Sequence, residues 1–462
     1  MEHELRRMIL GTCKFGAPAS TWIARALLLG VLVSVLFSTS LSIGLEFLAY
    51  GTFACLPELR RRLLATLRHP VMIGAYPFVL AIVIGTLHGP ASWSEVLLGL
   101  LAWRRLLLLP LCLAVFDDDR AKNFALTMFL AVCLVGTLAS FTTAFLHVPL
   151  ASKFPPGIVF HNYTVQSMTL SLALSVCLAA VIAPRYFAGN RLLQSAPLMI
   201  ALGVLFLIDI AFVLASRSGY VALLAMSVLL VVTLTPGRWS VKAFAGAVIA
   251  VGVGVIFVAS TQVRARMAEA IREIETVDAA ATGTHIGQRV VMWRNTMRMI
   301  GDHPVLGVGT GGFAAGYRPY AVAATGWQAF ETDDPHNQYL KIQGEQGILG
   351  LAAFLFFIFR LVTCPGPAPY RQLALAAVGA WCLTSLANSH FSTFTEGRLL
   401  FFWVGAMLGG ALVAPHARPP SGLPYDLHDM PPDKAASRSD SGDRAGTPAA
   451  TSSNPVTNQN VR

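Results

Sequence analysis

Apolar residues are grouped along this chain into long runs that are separated by short polar segments. Twelve runs are long enough to cross a bilayer as helices, because about 20 apolar residues span its hydrocarbon core. Two are atypical, since the second is short and the fourth contains Arg104 and Arg105. The pattern predicts an all-α fold, a polytopic membrane bundle of about twelve transmembrane helices. The runs cover roughly 21–39, 41–56, 70–88, 96–116, 123–146, 165–183, 197–215, 218–235, 243–260, 346–362, 372–388 and 398–414.

The composition excludes an ordinary soluble enzyme. Of the 462 residues, 55% are hydrophobic and 13% are charged, whereas a soluble domain carries about 25% charged residues. The mean hydropathy is +0.61. The net charge of +10 arises mainly from short basic clusters beside the apolar runs, so it does not indicate a nucleic-acid groove.

Basic residues also predict the orientation of the bundle. With the N-terminus in the cytoplasm, the inside segments carry clusters such as Arg60 to Arg62, whereas the short outside loops near residue 40 and at 89–95 and 389–397 contain no Lys or Arg. This asymmetry is typical of membrane proteins, whose cytoplasmic loops are enriched in Lys and Arg. It predicts that both termini are cytoplasmic.

The same pattern divides the chain into four segments. We predict nine transmembrane helices within 1–260, a long outside loop with helices over 261–345, three further transmembrane helices within 346–415, and a disordered cytoplasmic tail over 416–462. The tail is rich in Pro, Ser, Asp and Ala, a composition that cannot bury an apolar core.

Within the outside loop, the residues 261–280 are helix-prone and predict an extension of the ninth span, followed by a break at 283–285. A second helix is predicted over 286–300. Its apolar stripe consists of Ile286, Val290, Trp293, Met297 and Ile300.

Arg289 lies beside this stripe, one turn from Trp293. It could be an ordinary surface arginine whose aliphatic stem covers the stripe. The glycine-rich stretch 302–312 lacks the strand–turn–helix context of a dinucleotide site, so we exclude that cofactor; a backbone anion site there is only weakly indicated.

His336 is the candidate general base. Asp334 as N-cap and Pro335 as the first helical residue predict a helix start at this point, with His336 in the first turn. The positive end of the helix dipole would then keep the imidazole neutral near pH 7, as a general base requires. The alternative is a histidine that bonds only backbone or water.

Arg217 is the second unusual charge, because it lies between two long apolar runs. A guanidinium at that depth is costly and is usually either functional or an interfacial anchor. Its planar donor array suits bidentate binding of phosphate oxygens.

Metal chemistry is not indicated. Asp117, Asp118 and Asp119 form an acidic run, but they fall on the predicted cytoplasmic side, where a helix end explains them. None of the seven cysteines has CxxC spacing. The six outside histidines lack helical i, i+4 pairing: they are His147, His161, His285, His303, His336 and His390.

Together these motifs resemble the O-antigen ligase family of the Wzy/WaaL-like glycosyltransferases, and the resemblance covers most of the chain. A looser match joins Gly157 with His161 and Asn162. The principal matches are Ser216-Arg217-Ser218-Gly219 after the seventh span, Arg289 with Trp293, the run His303 to Gly309, and His336-Asn337-Gln338-Tyr339-Leu340.

The resemblance implies a GT-C-like bundle whose outside loop is periplasmic. The donor would be an O-antigen linked to undecaprenyl diphosphate, and the acceptor a sugar hydroxyl of lipid A–core, with no metal and no other cofactor. Arg217 and Arg289 would bind the donor diphosphate, and His336 would act as the base. Asn337, Tyr339, Asn162 and Trp293 would be supporting residues.

Three alternatives remain open at the level of sequence. An O-antigen polymerase or a protein O-oligosaccharyltransferase of the same superfamily would share the motifs. A transporter of lipid-linked glycans would instead need polar residues along a path through the membrane, and the spans contain few.

Overall fold

A computed structural model describes residues 18–410, except 151–153, 215, 276–284, 323–328 and 330. The described part of the chain is helical and contains no strand. The predicted tail over 416–462 lies outside the described residues, as does most of the predicted break at 283–285.

The first half of the bundle contains nine α-helices among the described residues. Short 3-10 segments follow α4, link α5 to α6, and precede α9. The helices are α1 (Ala19–Ser34), α2 (Thr39–Cys55), α3 (Pro57–Thr66), α4 (Pro70–Ile84), α5 (Trp93–Ala102), α6 (Leu108–Val115), α7 (Asp119–Leu146), α8 (Tyr163–Ile182) and α9 (Arg191–Gln194).

The second half contains nine more among the residues that the structure describes. They are α10 (Ala196–Phe212), α11 (Arg217–Leu234), α12 (Trp239–Ala259), α13 (Thr261–Glu275), α14 (His285–Asp302), α15 (Phe313–Val322), α16 (Gln338–Thr363), α17 (Tyr370–Thr384) and α18 (Phe394–Leu408).

Each of the twelve apolar runs overlaps a helix, which confirms the all-α membrane bundle. Among the described residues, six helical segments are long and apolar enough to cross a membrane. Helices α2 and α3 meet the same criterion only when taken together, and they are bent by 98°. Helices α1 and α10 are apolar but shorter. The count of twelve crossings therefore stays a prediction.

The fourth run is broken where its arginines lie. A 3-10 segment, Trp103–Leu107, separates α5 from α6. Arg105 is buried and donates to the carbonyl oxygens of Ala102 and Thr393. The buried Arg105 charge is thus accommodated by backbone carbonyls, as burial of a charge requires. Arg104 is partly exposed and pairs with Glu46 at 3.4 Å.

Helix α13 is a separate helix rather than an extension of the ninth span. Ser260 interrupts the two helices. Its hydroxyl donates to the Ala211 carbonyl at 2.5 Å and accepts from the Val263 amide at 3.3 Å. A serine that caps a new helix and binds a neighbouring one explains the break. It also fixes the start of α13 at the end of α10.

Helix α14 forms as predicted, but the predicted stripe does not define its buried face. Met297 is 57% exposed, whereas Met292 and Met299 are buried. Asn295 and Thr296 are buried on the same face, and the Asn295 side chain donates to the Tyr317 hydroxyl at 3.2 Å. Polar groups with partners inside the loop region therefore replace part of the apolar pattern.

The glycine-rich loop lies between the backbone of α16 and the backbone at His88. The Val308 and Gly309 amides donate to the carbonyls of Gly344 and Glu345. Gly309 has a φ of +89°, and a Cβ there would lie 2.1 Å from the His88 carbonyl oxygen. Only glycine permits that approach. Because these two amides bind carbonyls, they are not available to bind an anion.

Helix α16 contains the tenth apolar run and is kinked. Helix α16 starts at Gln338, and Gly347 has the non-helical values φ 65° and ψ −167°. The kink leaves the Gly344 and Glu345 carbonyls to accept from the glycine-rich loop. The predicted boundary at 346 therefore marks this kink, and the preceding turns carry the residues that follow His336.

Candidate active site

Arg217 is the first residue of α11. The Ser216 hydroxyl caps this helix by accepting from the Gly219 amide at 3.1 Å. A Cβ at Gly219 would lie 1.6 Å from the Ser167 hydroxyl oxygen, so glycine allows α11 to pack closely on α8. The Arg217 Nη2 lies 3.7 Å from the Glu269 Oε2 of α13, and both side chains are partly exposed.

Arg289 is joined to the start of α11 through a third residue. Its Nη2 donates to the Asn388 Oδ1 at 3.4 Å. The Asn388 Nδ2 donates in turn to the Ser218 hydroxyl at 2.8 Å. Ser218 directly follows Arg217, so the structure brings the segments that carry the two predicted arginines to one place.

Asn388 was not singled out in the sequence. It lies in the loop between α17 and α18, and its carbonyl also accepts from the Gln338 amide at 3.0 Å. The available signal was a polar run, Asn388-Ser389-His390, between two apolar spans. Such a run is ordinary in a loop, and only its contacts identify it as a link between three elements.

The helix that follows His336 does not begin where the sequence predicted. Its N-cap is Asn337, whose Oδ1 accepts from the Tyr339 and Leu340 amides at 3.0 and 3.1 Å. Asp334 is therefore not the N-cap, and His336 is not in the first turn. His336 instead has a φ of 52°, a left-handed conformation that is uncommon for a residue other than glycine.

Two side chains hold this turn. The Asp334 Oδ1 accepts from the His336 amide at 2.7 Å. The Trp293 Nε1 donates to the Pro335 carbonyl at 2.8 Å. Trp293 and Arg289 are one turn apart on α14, so this helix contacts the His336 turn and carries a predicted diphosphate ligand.

The surroundings of His336 lower the pKa of its imidazole. The side chain is exposed to solvent, but neighbouring protein atoms displace part of its water, and this desolvation is the main reason that its pKa is lowered from 6.5. Arg289 and Lys341 lower the pKa further, whereas Asp334 and Asp333 raise it. The lowered pKa favours the neutral ring, and its main cause is desolvation rather than the predicted helix dipole.

The four supporting residues have structural contacts. Asn162 caps α8 by accepting from the Thr164 and Val165 amides at 2.9 Å. Asn337 caps α16 and donates to the Leu386 carbonyl at 2.9 Å. The Tyr339 hydroxyl donates to the Cys382 carbonyl at 2.8 Å. With Trp293 on Pro335, these contacts build the frame of the site.

No group of three or more His, Cys, Asp or Glu residues among the described part of the chain could hold a metal ion. The acidic run is accounted for by pairing: Asp117 and Asp118 bind Arg25 at 3.0 and 2.5 Å. Asp118 also caps α7 by accepting from the Ala121 amide at 2.8 Å. The acidic run thus forms a helix end, as predicted.

Comparison with known proteins shows a similarity over about a third of the chain. Residues 202–355 match the family model described as O-antigen ligase. The matched range contains Arg217, Arg289 and His336. No curated protein matches the chain. This segment of a multi-pass membrane protein is therefore similar to the O-antigen ligase family, which supports the ligase–polymerase superfamily.

Proposed function

We propose that this protein is an O-antigen ligase. It transfers O-antigen polysaccharide from undecaprenyl diphosphate to lipid A–core at the periplasmic face of the bacterial inner membrane. Both termini are cytoplasmic in this proposal, and the loop over 261–345 is periplasmic. The similarity of residues 202–355 to the O-antigen ligase family supports a function within the ligase–polymerase superfamily. The choice of ligase over polymerase is part of the proposal.

One observation carries the proposal. Arg289 is hydrogen-bonded to Asn388, which is hydrogen-bonded to Ser218 beside Arg217. Arg289 is also close enough to His336 to lower the pKa of its ring. These contacts support a site in which two guanidinium groups bind a diphosphate beside a neutral imidazole.

The proposed reaction is a displacement at the anomeric carbon. His336 accepts the proton of the acceptor hydroxyl, whose oxygen forms the new glycosidic bond. The bond between the sugar and the diphosphate breaks, and undecaprenyl diphosphate leaves with the electron pair. Arg217 and Arg289 stabilise the negative charge that develops on the diphosphate, a role that metal ions have in other transferases. Direct displacement inverts the anomeric centre.

The test is in vitro transfer with purified protein, lipid-linked O-antigen and rough lipopolysaccharide. Ladder-bearing lipopolysaccharide supports the ligase. We expect His336→Ala, Arg217→Ala and Arg289→Ala each to abolish the product while the protein still inserts into membranes. Normal product from the His336 variant would contradict the base assignment, and retention at the anomeric centre would contradict direct displacement.

The rival functions give different products in the same assay. An O-antigen polymerase would make longer lipid-linked glycan without lipid A. A protein O-oligosaccharyltransferase would modify a polypeptide acceptor and leave lipopolysaccharide unchanged. A transporter would move lipid-linked glycan across vesicles, and His336→Ala would leave that movement intact.

A further inference from the structure

Asp334 makes three polar contacts around the turn that carries His336. Its Oδ1 accepts from the His336 amide at 2.7 Å and from the Ser389 hydroxyl at 2.6 Å. Its Oδ2 pairs with the Lys341 Nζ at 3.2 Å. The side chain is 21% exposed and that of Lys341 is 20% exposed, so solvent screens this pair only in part.

These contacts come from both sides of the turn. Ser389 belongs to the loop between α17 and α18, next to Asn388. Lys341 belongs to the first turn of α16, which follows His336. Asp334 therefore ties the backbone of His336 to the loop that binds Arg289 and to the helix behind the turn.

The backbone of His336 needs such support. Its φ of 52° is a left-handed conformation that a side chain other than glycine adopts at a cost, and surrounding contacts must maintain it. The bond from the His336 amide to the Asp334 carboxylate is a local turn contact of the kind that aspartate forms with the residue two positions later. Loss of this contact would release the residue that bears the imidazole.

We propose that Asp334 is a positioning residue for the transfer reaction. It holds His336 in its left-handed conformation and fixes its position relative to the loop that binds Arg289. The inference rests on the proposed role of His336 as the base. Asp334 does not touch the reacting atoms in this scheme. It acts through the geometry of His336, and small displacements of a general base reduce the rate steeply.

The experiment compares two neighbouring aspartates. Asp334→Ala removes all three contacts, whereas Asp333→Ala removes the same charge from the adjacent, exposed position. In the transfer assay we expect Asp334→Ala to lower kcat by about 10- to 100-fold, with little change in the donor KM, and Asp333→Ala to stay near wild type. Equal rates for the two variants would overturn the inference.

An isosteric variant separates geometry from charge. Asp334→Asn keeps an oxygen that can accept from His336 and Ser389 but removes the charge that pairs with Lys341. We expect Asp334→Asn to recover most of the kcat that Asp334→Ala loses, and more so when combined with Lys341→Gln. If the alanine and asparagine variants are equally slow while both remain folded, the positioning role is wrong.

A measurement on His336 itself does not depend on enzyme activity, so it tests the inference even if a variant is inactive. The rate of His336 modification by diethyl pyrocarbonate, followed by peptide mass spectrometry against pH, reports the pKa of the ring. The charged groups around it are Asp334, Asp333, Arg289 and Lys341. Asp334→Asn removes an anion that favours imidazolium, so its titration should move to lower pH. An unmoved titration would contradict an electrostatic interaction between the Asp334 carboxylate and the His336 imidazole.

The double variant distinguishes this inference from the proposed function. Because His336→Ala should make no product, the double variant is compared by binding of the lipid-linked donor. If Asp334 acts only through His336, Asp334→Ala should leave the donor Kd unchanged in a His336→Ala background. Weaker donor binding would mean that Asp334 acts elsewhere, and the positioning role would fall while the ligase proposal stands. If His336→Ala alone transfers normally, the assigned base fails first.

Discussion

The Arg289 guanidinium donates to the side-chain oxygen of Asn388 at 3.4 Å, across 99 residues of sequence. The amide of the same side chain donates to Ser218 at 2.8 Å. Asn388 therefore fixes the spacing between two helices that carry the proposed diphosphate ligands. In the ligase proposal this spacing must match the width of one diphosphate.

We expect Asn388→Ala to raise the donor KM by about 3- to 10-fold and to change kcat less. The substitution removes one charge-assisted and one neutral hydrogen bond, each of modest strength. Steady-state kinetics with varied lipid-linked donor measures it. In an Arg289→Ala background, which should make no product, the same change should add little to the donor Kd measured by direct binding. Asn190→Ala is a suitable control, because Asn190 donates to Thr127 in another part of the bundle. Full additivity would show that Asn388 does not act through Arg289.

Arg217 is paired with Glu269 at 3.7 Å, and a donor diphosphate would compete with that carboxylate. Glu269→Gln should therefore lower the donor KM by up to about 5-fold, since a partly exposed ion pair is worth about 0–1 kcal/mol. Added salt should reduce the difference between the variant and wild type. Glu331→Gln is the matched control, because it breaks an exposed pair with Arg318. A raised donor KM in the Glu269 variant would contradict competition.

The pH dependence of transfer follows from the lowered pKa of His336. A base must be neutral, and a ring with a lowered pKa stays neutral until the pH falls below the ordinary value of 6.5. The rate should therefore be constant near pH 7 and decline on the acid side of 6.5. Lys341→Gln removes a cation that lowers this pKa, so its acid limb should move to higher pH. A wild-type midpoint above 6.5 would contradict the assignment.

The buried pair of Glu46 and Arg398 predicts a stability effect apart from the site. Their closest atoms are 2.9 Å apart, and the side chains are 0% and 1% exposed. Removal of Arg398 leaves the buried Glu46 carboxylate with only the more distant Arg104, at 3.4 Å, as an ionic partner among the described residues. Breaking a buried pair in this way costs up to about 3–5 kcal/mol. Arg398→Met should therefore sharply reduce the yield and thermal stability of monodisperse protein in detergent. Glu46→Gln combined with Arg398→Gln should restore part of both.

The control for this pair is Arg318→Gln, which removes an arginine whose side chain is 69% exposed and should leave the melting temperature unchanged. Equal stability of Arg398→Met and Arg318→Gln would contradict a structural role for the buried pair.

The membrane bundle was predictable from the sequence because each span must be a long apolar run, and each run overlaps a helix. Helix α14 was predictable for a similar reason, since helical periodicity is local. Arg217, Arg289 and His336 could be singled out from the sequence for two reasons. Charged residues are rare in this chain, and all three residues lie in motifs that resemble those of a known family.

Other features depended on contacts between distant parts of the chain. The start of α16 was misplaced because Asp334 and Asn337 are both good caps, and Asp334 binds Ser389 and Lys341 instead. The prediction of which face of α14 is buried was wrong, because the buried Asn295 side chain has a hydrogen-bond partner in Tyr317. Sequence by itself thus determined which segments leave water, since that depends on composition. Only the tertiary structure decided which polar groups meet, because hydrogen bonds between loops depend on how the helices pack.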